Sequence, residues 1–292
     1  MTSVPRDAAA TEIAFSDADF RAIAAIAQER FGLNLAESKK PLVYSRLSKR
    51  LKARNLNGFP DYLKLLEQPE ETDERQELIS ALTTNVTSFF RETHHFETLA
   101  SECLPALAAG ARSGQRIRLW SAGCSSGQEP YSIAMSVLDQ FPDAANLDLR
   151  ILATDIDPQI VDRARTGSYP GEEAAGIPAP YQAKWVRRSG DGGRLTMGEP
   201  LRQLITFAEL NLMDLWPFKG PFDVIFCRNV AIYFNQQTQQ NLWQRFCQML
   251  IPGGYLFIGH SERITGPATQ DLSGVGITSY RKRPGPSGTR AQ

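Results

Sequence analysis

Over the last two thirds of the chain, apolar residues fall in short runs that stop abruptly at small or polar residues. Ile117 to Trp120, Leu149 to Ala153, Leu204 to Leu210, Phe222 to Cys227, Tyr255 to Gly259 and Gly276 to Arg281 are such runs, rich in β-favouring side chains. Between them lie stretches with helical spacing: Ile133, Ala134, Val137 and Leu138 follow Glu129-Pro130, and a longer one spans Gln236 to Leu250. Strands alternating with helices predict an α/β fold with a doubly wound sheet. The first 90 residues lack this pattern and read as helices. Ser16 or Asp17 caps a helix through Phe20, Ile23, Ile26 and Ala27 that stops at Gly32. A second runs from Ser38 to Ala53 with Leu42, Val43, Leu47 and Leu51 turned inward, and Tyr62-Leu63 with Leu65-Leu66 mark a third. Between Ala164 and Leu204 turn formers crowd together, and Trp185-Val186-Arg187 with Arg194-Leu195-Thr196 flank the cluster 189–193, which predicts a hairpin.

The chemistry sits where the strands end. After Trp120, the segment Ser121-Ala122-Gly123-Cys124-Ser125-Ser126-Gly127 keeps side chains small, so a ligand can approach the backbone at the carboxyl end of the strand. About 30 residues on, the next strand ends in Thr154-Asp155-Ile156-Asp157-Pro158. A carboxylate at that place accepts hydrogen bonds from ribose hydroxyls, and one before proline also caps a helix. Asp155, nearer the strand end, is assigned to the ligand. The turn has neither the three-glycine diphosphate fingerprint nor a Lys-Ser/Thr pair, so a nucleoside without phosphates fits better and S-adenosylmethionine is the expected cofactor.

Composition narrows the picture. The 292 residues allow one domain of about 200 residues plus a smaller one. Basic and acidic residues balance at 32 each, which gives no support for bulk attraction to nucleic acid or anionic lipid. Cys103, Cys124, Cys227 and Cys247 lack metal-type spacing, and His94, His95 and His260 form no recognisable ligand set, so a reducing cytoplasm and no metal are expected. No apolar run approaches the ~20 residues that span a bilayer, and the first 14 residues lack a signal-peptide core. Disorder is expected for residues 1–14 and 284–292.

Five segments in register resemble one family. They are Leu82-Thr83-Thr84-Asn85-Val86-Thr87-Ser88-Phe89-Phe90-Arg91-Glu92; Trp120-Ser121-Ala122-Gly123-Cys124 with Gln128-Glu129-Pro130-Tyr131-Ser132; Thr154-Asp155-Ile156-Asp157; Cys227-Arg228-Asn229-Val230 with Ile232-Tyr233-Phe234; and Gly259-His260-Ser261-Glu262. From about Phe15 to Tyr280 the chain resembles the CheR-type chemotaxis receptor methyltransferases. The resemblance implies a helical amino-terminal domain (residues 15–90) and a Rossmann-like methyltransferase domain (91–283) carrying a small antiparallel β-subdomain at about 165–204. It further implies methyl transfer from S-adenosylmethionine to glutamate side chains on the cytoplasmic helical bundle of chemoreceptors, with S-adenosylhomocysteine as product. Asn85, Thr87 and Arg91 would reach the methionyl end of the cofactor or the substrate. Glu129 and Asp155, with Gly123 beside them, would take its polar groups, and Asn211, Leu212, Arg228 and Asn229 would complete the walls.

A glutamate carboxylate, with a reference pKa of about 4.3, is already ionised near neutral pH and attacks the sulfonium methyl without a general base. Alignment and dryness are what the protein supplies. Arg91 suits a carboxylate partner by charge. Tyr233 could aim its hydroxyl at the reacting groups, although Ile232-Tyr233-Phe234 also reads as core aromatics. His94 and His95 are expected to pack or face solvent, and His260 to tie its strand end to neighbours. On the second helix Arg46, Arg50 and Arg54 repeat every four residues, which is either a solvated face or, by the resemblance, a docking stripe for an acidic receptor bundle. Rival functions are a signalling module that binds S-adenosylmethionine without catalysis, and a methyltransferase for another substrate. An Asn/Asp-Pro-Pro-aromatic signature for amino methylation of bases is replaced by Arg228-Asn229-Val230. A cytoplasmic monomer, reaching the membrane only through receptors, completes the expectation.

Overall fold

The computed structural model describes residues 13–190 and 193–284. The expected disorder at the two ends falls almost wholly on residues outside these. The chain divides between Thr83 and Thr84 into two compact units, a few residues earlier than the 90/91 boundary expected.

The first unit is helical. Helix α1 (Asp17–Phe31) starts at a reciprocal capping box between Ser16 and Asp19 and stops at Gly32, whose φ of 72° accommodates a left-handed end. Helix α2 (Lys40–Ala53) follows a single turn of 3-10 helix, then come α3 (Phe59–Glu67) and α4 (Thr72–Leu82). Phe20, Ile23, Val43, Leu47, Leu51, Phe59, Tyr62 and Leu78 close the core, while Leu42, expected inward, is 44% exposed. Periodicity misplaced it because it sits one residue off the buried Val43-Leu47-Leu51 stripe.

The second unit opens with α5 (His94–Thr98) and α6 (Leu104–Arg112), then β1 (Ile117–Ala122), α7 (Gln128–Gln140), β2 (Leu149–Asp155) and α8 (Pro158–Thr166). A small insertion follows, comprising β3 (Ser168–Pro170), α9 (Ala179–Trp185), β4 (Val186–Arg188) and β5 (Arg194–Met197). The fold resumes with α10 (Glu199–Leu204), β6 (Ile205–Glu209), β7 (Phe222–Cys227), α11 (Gln236–Met249), β8 (Leu250–Ile258), β9 (Leu272–Gly276) and β10 (Ser279–Lys282). Seven strands form one sheet in the order β6-β2-β1-β7-β8-β10-β9. The first five are parallel, and β10 runs antiparallel to both its neighbours. The expected hairpin pairs β4 with β5, and β3 extends it to three antiparallel strands. One strand was expected over 276–281; a hairpin of two stands there instead.

Parallel strands covered on both faces need continuous apolar runs. Strand β7 is buried at every position, and its one acid, Asp223, accepts the Arg118 backbone N–H at 2.8 Å. Trp120 on β1 is fully buried and packs edge-on against Trp216, Phe218 and Phe246, while its indole N–H donates to Thr154 Oγ1 at 2.9 Å. Tight packing on both faces makes the sheet a rigid base.

Candidate functional site

Strand β1 delivers its chain into the Ser121–Gly127 turn, whose geometry demands small residues. Gly123 has a φ of 84°, and a Cβ there would lie 2.3 Å from Val230 Cγ2, so a larger residue is excluded twice. Its N–H and that of Cys124 donate to the Thr154 carbonyl at 2.7 and 2.8 Å, holding the turn to the end of β2. At that end the two acids divide their work. Asp157 accepts the Gln159 and Ile160 N–H groups and caps α8, and its other oxygen takes the Asn85 amide at 3.1 Å. Asp155 accepts the N–H of Ser125 at 2.8 Å and of Asp157 at 3.2 Å, and burial pushes its carboxyl up to about 6. Ser125 Oγ reaches the Asn85 carbonyl at 3.2 Å, so Asn85 meets both strand ends.

Glu129, in the first turn of α7, accepts Ser121 Oγ at 2.7 Å and Arg228 Nη1 at 3.2 Å. Burial raises its pKa, while the guanidinium and the hydroxyl counter that effect. Arg228, at the end of β7, continues the chain of charges: its Nη2 donates to the Arg91 carbonyl and stands 3.4 Å from Glu92 Oε2. One cation thus lies between two carboxylates. Glu92 also takes the His260 ring at 3.0 Å and the Asn229 amide at 3.4 Å. Burial works against its charge, but the His260 hydrogen bond and the guanidinium outweigh it and hold Glu92 at about 2.

Asn211 and Leu212 follow β6, and Arg245 of α11 holds the latter by its carbonyl at 2.5 Å. Arg91 is half-buried and donates to the Val86 carbonyl at 3.0 Å. Thr87 is half-buried on the same segment. Tyr233, in a single turn after β7, is half-buried, and Ile232 is 44% exposed, which takes these two out of the core. The residues expected around the cofactor, Asn85, Thr87, Arg91, Gly123, Glu129, Asp155, Asn211, Leu212, Arg228 and Asn229, accordingly occupy the carboxyl ends of β1, β2, β6 and β7, the first turn of α7 and the 84–92 segment. Sequence reasoning missed Ser121, Glu92 and Glu262 as members of this network. A serine in a small-residue turn carries no mark of its Glu129 partner, and most of the bonds of the other two cross at least 30 residues.

His95 is fully buried, with Nε2 2.9 Å from Thr278 Oγ1. Burial, then the charges of Arg228 and His94, lower its pKa to about 3, so it stays neutral. With Glu92 and His94 it brings three donor atoms within 4.8 Å of one another. A cation entering that group would meet the Arg228 guanidinium beside Glu92, so the cluster reads as part of the ion-pair network. His260 is largely exposed, and its tie is to Glu92.

The basic stripe turns out to be engaged within its own unit. Arg50 makes a two-point contact with the fully buried Glu74 at 3.1 and 2.8 Å and reaches Glu77 at 2.9 Å. Arg54 pairs with Glu71 at 2.7 Å, and Arg46 donates to the carbonyls of Ala81 and Thr83 at 3.0 and 2.7 Å. The Arg46-Arg50-Arg54 stripe is therefore a clamp between α2 and α4. Removing the buried partner by Glu74→Ala leaves Arg50 with Glu77 alone and strands the Tyr62 hydroxyl, which donates to Glu74 at 3.0 Å, and should destabilise this unit by about 3 kcal/mol in urea unfolding. An unchanged midpoint would reduce the clamp to an incidental surface contact.

A parallel sheet with strand-end acids and a small-residue turn is the framework of an S-adenosylmethionine-dependent methyltransferase. Residues 85–281 match the family described as CheR methyltransferase, SAM binding domain, and residues 18–83 match CheR methyltransferase, all-alpha domain. The chain belongs to the CheR methyltransferase family, and its cofactor is S-adenosylmethionine. It is 50% identical over 252 residues to a Rhizobium etli protein named "Probable chemotaxis protein methyltransferase", covering 86% of this chain and 94% of the relative. Identity to the Escherichia coli chemotaxis protein methyltransferase is 43%, covering 87% of each chain. With the Borreliella burgdorferi chemotaxis protein methyltransferase it is 40%, covering 88% of this chain and 91% of that one. Among the described residues no helix is long and apolar enough to cross a membrane.

Proposed function

We propose that this protein methylates glutamate side chains of chemoreceptors, producing methyl esters for sensory adaptation. The near full-length likeness to relatives named chemotaxis protein methyltransferases carries this reading. When bound, S-adenosylmethionine supplies an electrophilic methyl: a glutamate oxygen forms the new bond, the carbon–sulfur bond breaks, and its electron pair stays on sulfur in S-adenosylhomocysteine. No proton moves. This agrees with a histidine set in which His95 is held neutral and His260 is tied to Glu92.

The residues of this chain bind, orient and dry the reactants. Asp155 accepts ribose hydroxyls, and Glu129, fixed by Ser121 and Arg228, faces the cationic methionyl end with Asn85 and Thr87 alongside. Gly123, Asn211, Leu212 and Asn229 form the walls. Arg91 offers its guanidinium to the acceptor carboxylate, and Tyr233 aims at the same point. Orientation of this kind is worth up to roughly 7–11 kcal/mol of barrier. Arg46, Arg50 and Arg54, held against α4 by their own ion pairs and hydrogen bonds, would present a pre-organised basic stripe to the acidic receptor bundle.

Purified protein incubated with methyl-labelled S-adenosylmethionine and receptor-containing membranes should place base-labile label on receptors. Label on another molecule would favour a different substrate, and cofactor binding without transfer would favour a signalling module. Tyr233→Phe should lower turnover about tenfold while S-adenosylhomocysteine affinity changes little, as expected for a group that orients only the reacting atoms. Unchanged turnover would confine Tyr233 to packing.

A further inference from the structure

Glu262 lies four residues beyond the end of β8, is 3% exposed, and has no part in the chemistry described so far. Its carboxylate accepts four backbone N–H groups: Gly259 at 2.5 Å and Asn229 at 3.1 Å on one oxygen, Val230 at 3.0 Å and Ile232 at 3.2 Å on the other. These amides come from two strand ends, β7 and β8, which are neighbours in the sheet. A buried carboxylate surrounded by converging N–H groups is an internal counterpart of the backbone nests that bind anions. Burial still raises its pKa, because amides only partly replace water.

The segment held in this way is the one on which the proposed site depends. Asn229 has a φ of 59°, a left-handed conformation that asparagine tolerates but that something must hold. Val230 is the residue against which Gly123 is fitted, and Tyr233 comes one residue after the last amide that Glu262 receives. The same segment is also confined by Gly259. A Cβ on Gly259 would lie 2.5 Å from Asn229 Nδ2 and 2.7 Å from its backbone nitrogen, so the two strand ends touch with no room for a side chain between them.

We propose that Glu262 is a positioning residue for methyl transfer: by collecting the N–H groups of the 229–232 segment it sets Asn229 and Tyr233 against the reacting atoms without touching them. The proposal rests on the methyltransferase function above. Glutamine is nearly isosteric but offers one acceptor oxygen and turns two donors toward N–H groups that already donate. Glu262→Gln should therefore release the segment while leaving the acids around the cofactor in place.

The test combines hydrogen exchange with kinetics. In Glu262→Gln the amides of Asn229, Val230 and Ile232 should lose protection while those of β1 keep theirs, and kcat should fall about 10- to 100-fold, the cost of a small misplacement. The KM for receptor and the affinity for S-adenosylhomocysteine should change much less. Gly259→Ala, whose added Cβ would press on Asn229 directly, should give the same kinetic pattern and serves if the first variant does not fold. Loss of protection with kcat unchanged would overturn the proposal. So would equal losses of kcat, product affinity and β1 protection, since those describe a fold defect alone. Should the wild-type protein methylate no receptor, the function above fails, and that outcome is distinct because the exchange pattern is read without substrate.

Discussion

Arg228→Ala is expected to lower the stability of the catalytic unit by about 3–5 kcal/mol, because it leaves two inward-facing carboxylates, Glu129 and Glu92, without their shared cation. For a unit of this size that is on the order of 10 °C in thermal midpoint. Arg228 is 6% exposed and its guanidinium also sits 5.8 Å from the Phe96 ring, so solvent does little to weaken the loss. The pH dependence has a definite sign. Glu92 is held at about 2, below its ordinary 4.5, so its contribution is present above pH 4.5 and disappears as pH falls towards 2. A wild-type protein should therefore lose stability through that window and the variant should lose less. A melt in which Arg228→Ala matches wild type would mean the two carboxylates protonate or reach water at little cost.

Asp155 should make cofactor affinity depend on pH in a range where free aspartates are silent. With its folded pKa near 6 against an ordinary 3.8, it is half protonated at mildly acidic pH. Ribose hydroxyls bond best to the ionised form, so S-adenosylhomocysteine should bind more tightly as pH rises from 5 to 7. Asp155→Asn should flatten that dependence and weaken binding by about 1.5–3 kcal/mol, the range for a hydrogen bond to a charged group. Stability of the unliganded protein should move the other way: the folded state holds a proton that the unfolded chain has released, so stability declines as pH rises from 3.8 through 6. Calorimetry across pH reads the first effect and denaturant unfolding the second. A pH-independent affinity in the wild-type protein would place the ribose elsewhere.

How much of this was legible beforehand differs by kind of interaction. The strands of the parallel sheet were, since double-sided burial writes itself as runs such as Phe222 to Cys227, and so were the α1 caps, whose partners lie three to five residues apart. Strand β9 was not, because Gly274 and Gly276 strip its pattern of β-forming bulk. Helix α4 escaped notice for a reason that also explains the basic stripe. Glu71, Glu74 and Glu77 recur every three residues, and only the helix that carries them brings these partners to Arg50 and Arg54, Glu71 and Glu74 from 17 to 24 residues away. In the site, Gly123 and Asp155 stood out because turn chemistry and strand ends are local. Glu92 and Glu262 gave no such signal: apart from the Gly259 N–H, the hydrogen-bond and ion-pair partners described for them come from distant segments, and nothing in a run of letters marks a carboxylate as destined for N–H groups.

The joint at Thr83 and Thr84 falls immediately before the segment that carries Asn85, Thr87 and Arg91. Every side chain assigned to the methyl donor consequently belongs to one compact unit, while the α2–α4 clamp is confined to the other. Sequence change confined to the helical portion therefore alters none of the residues assigned to the donor.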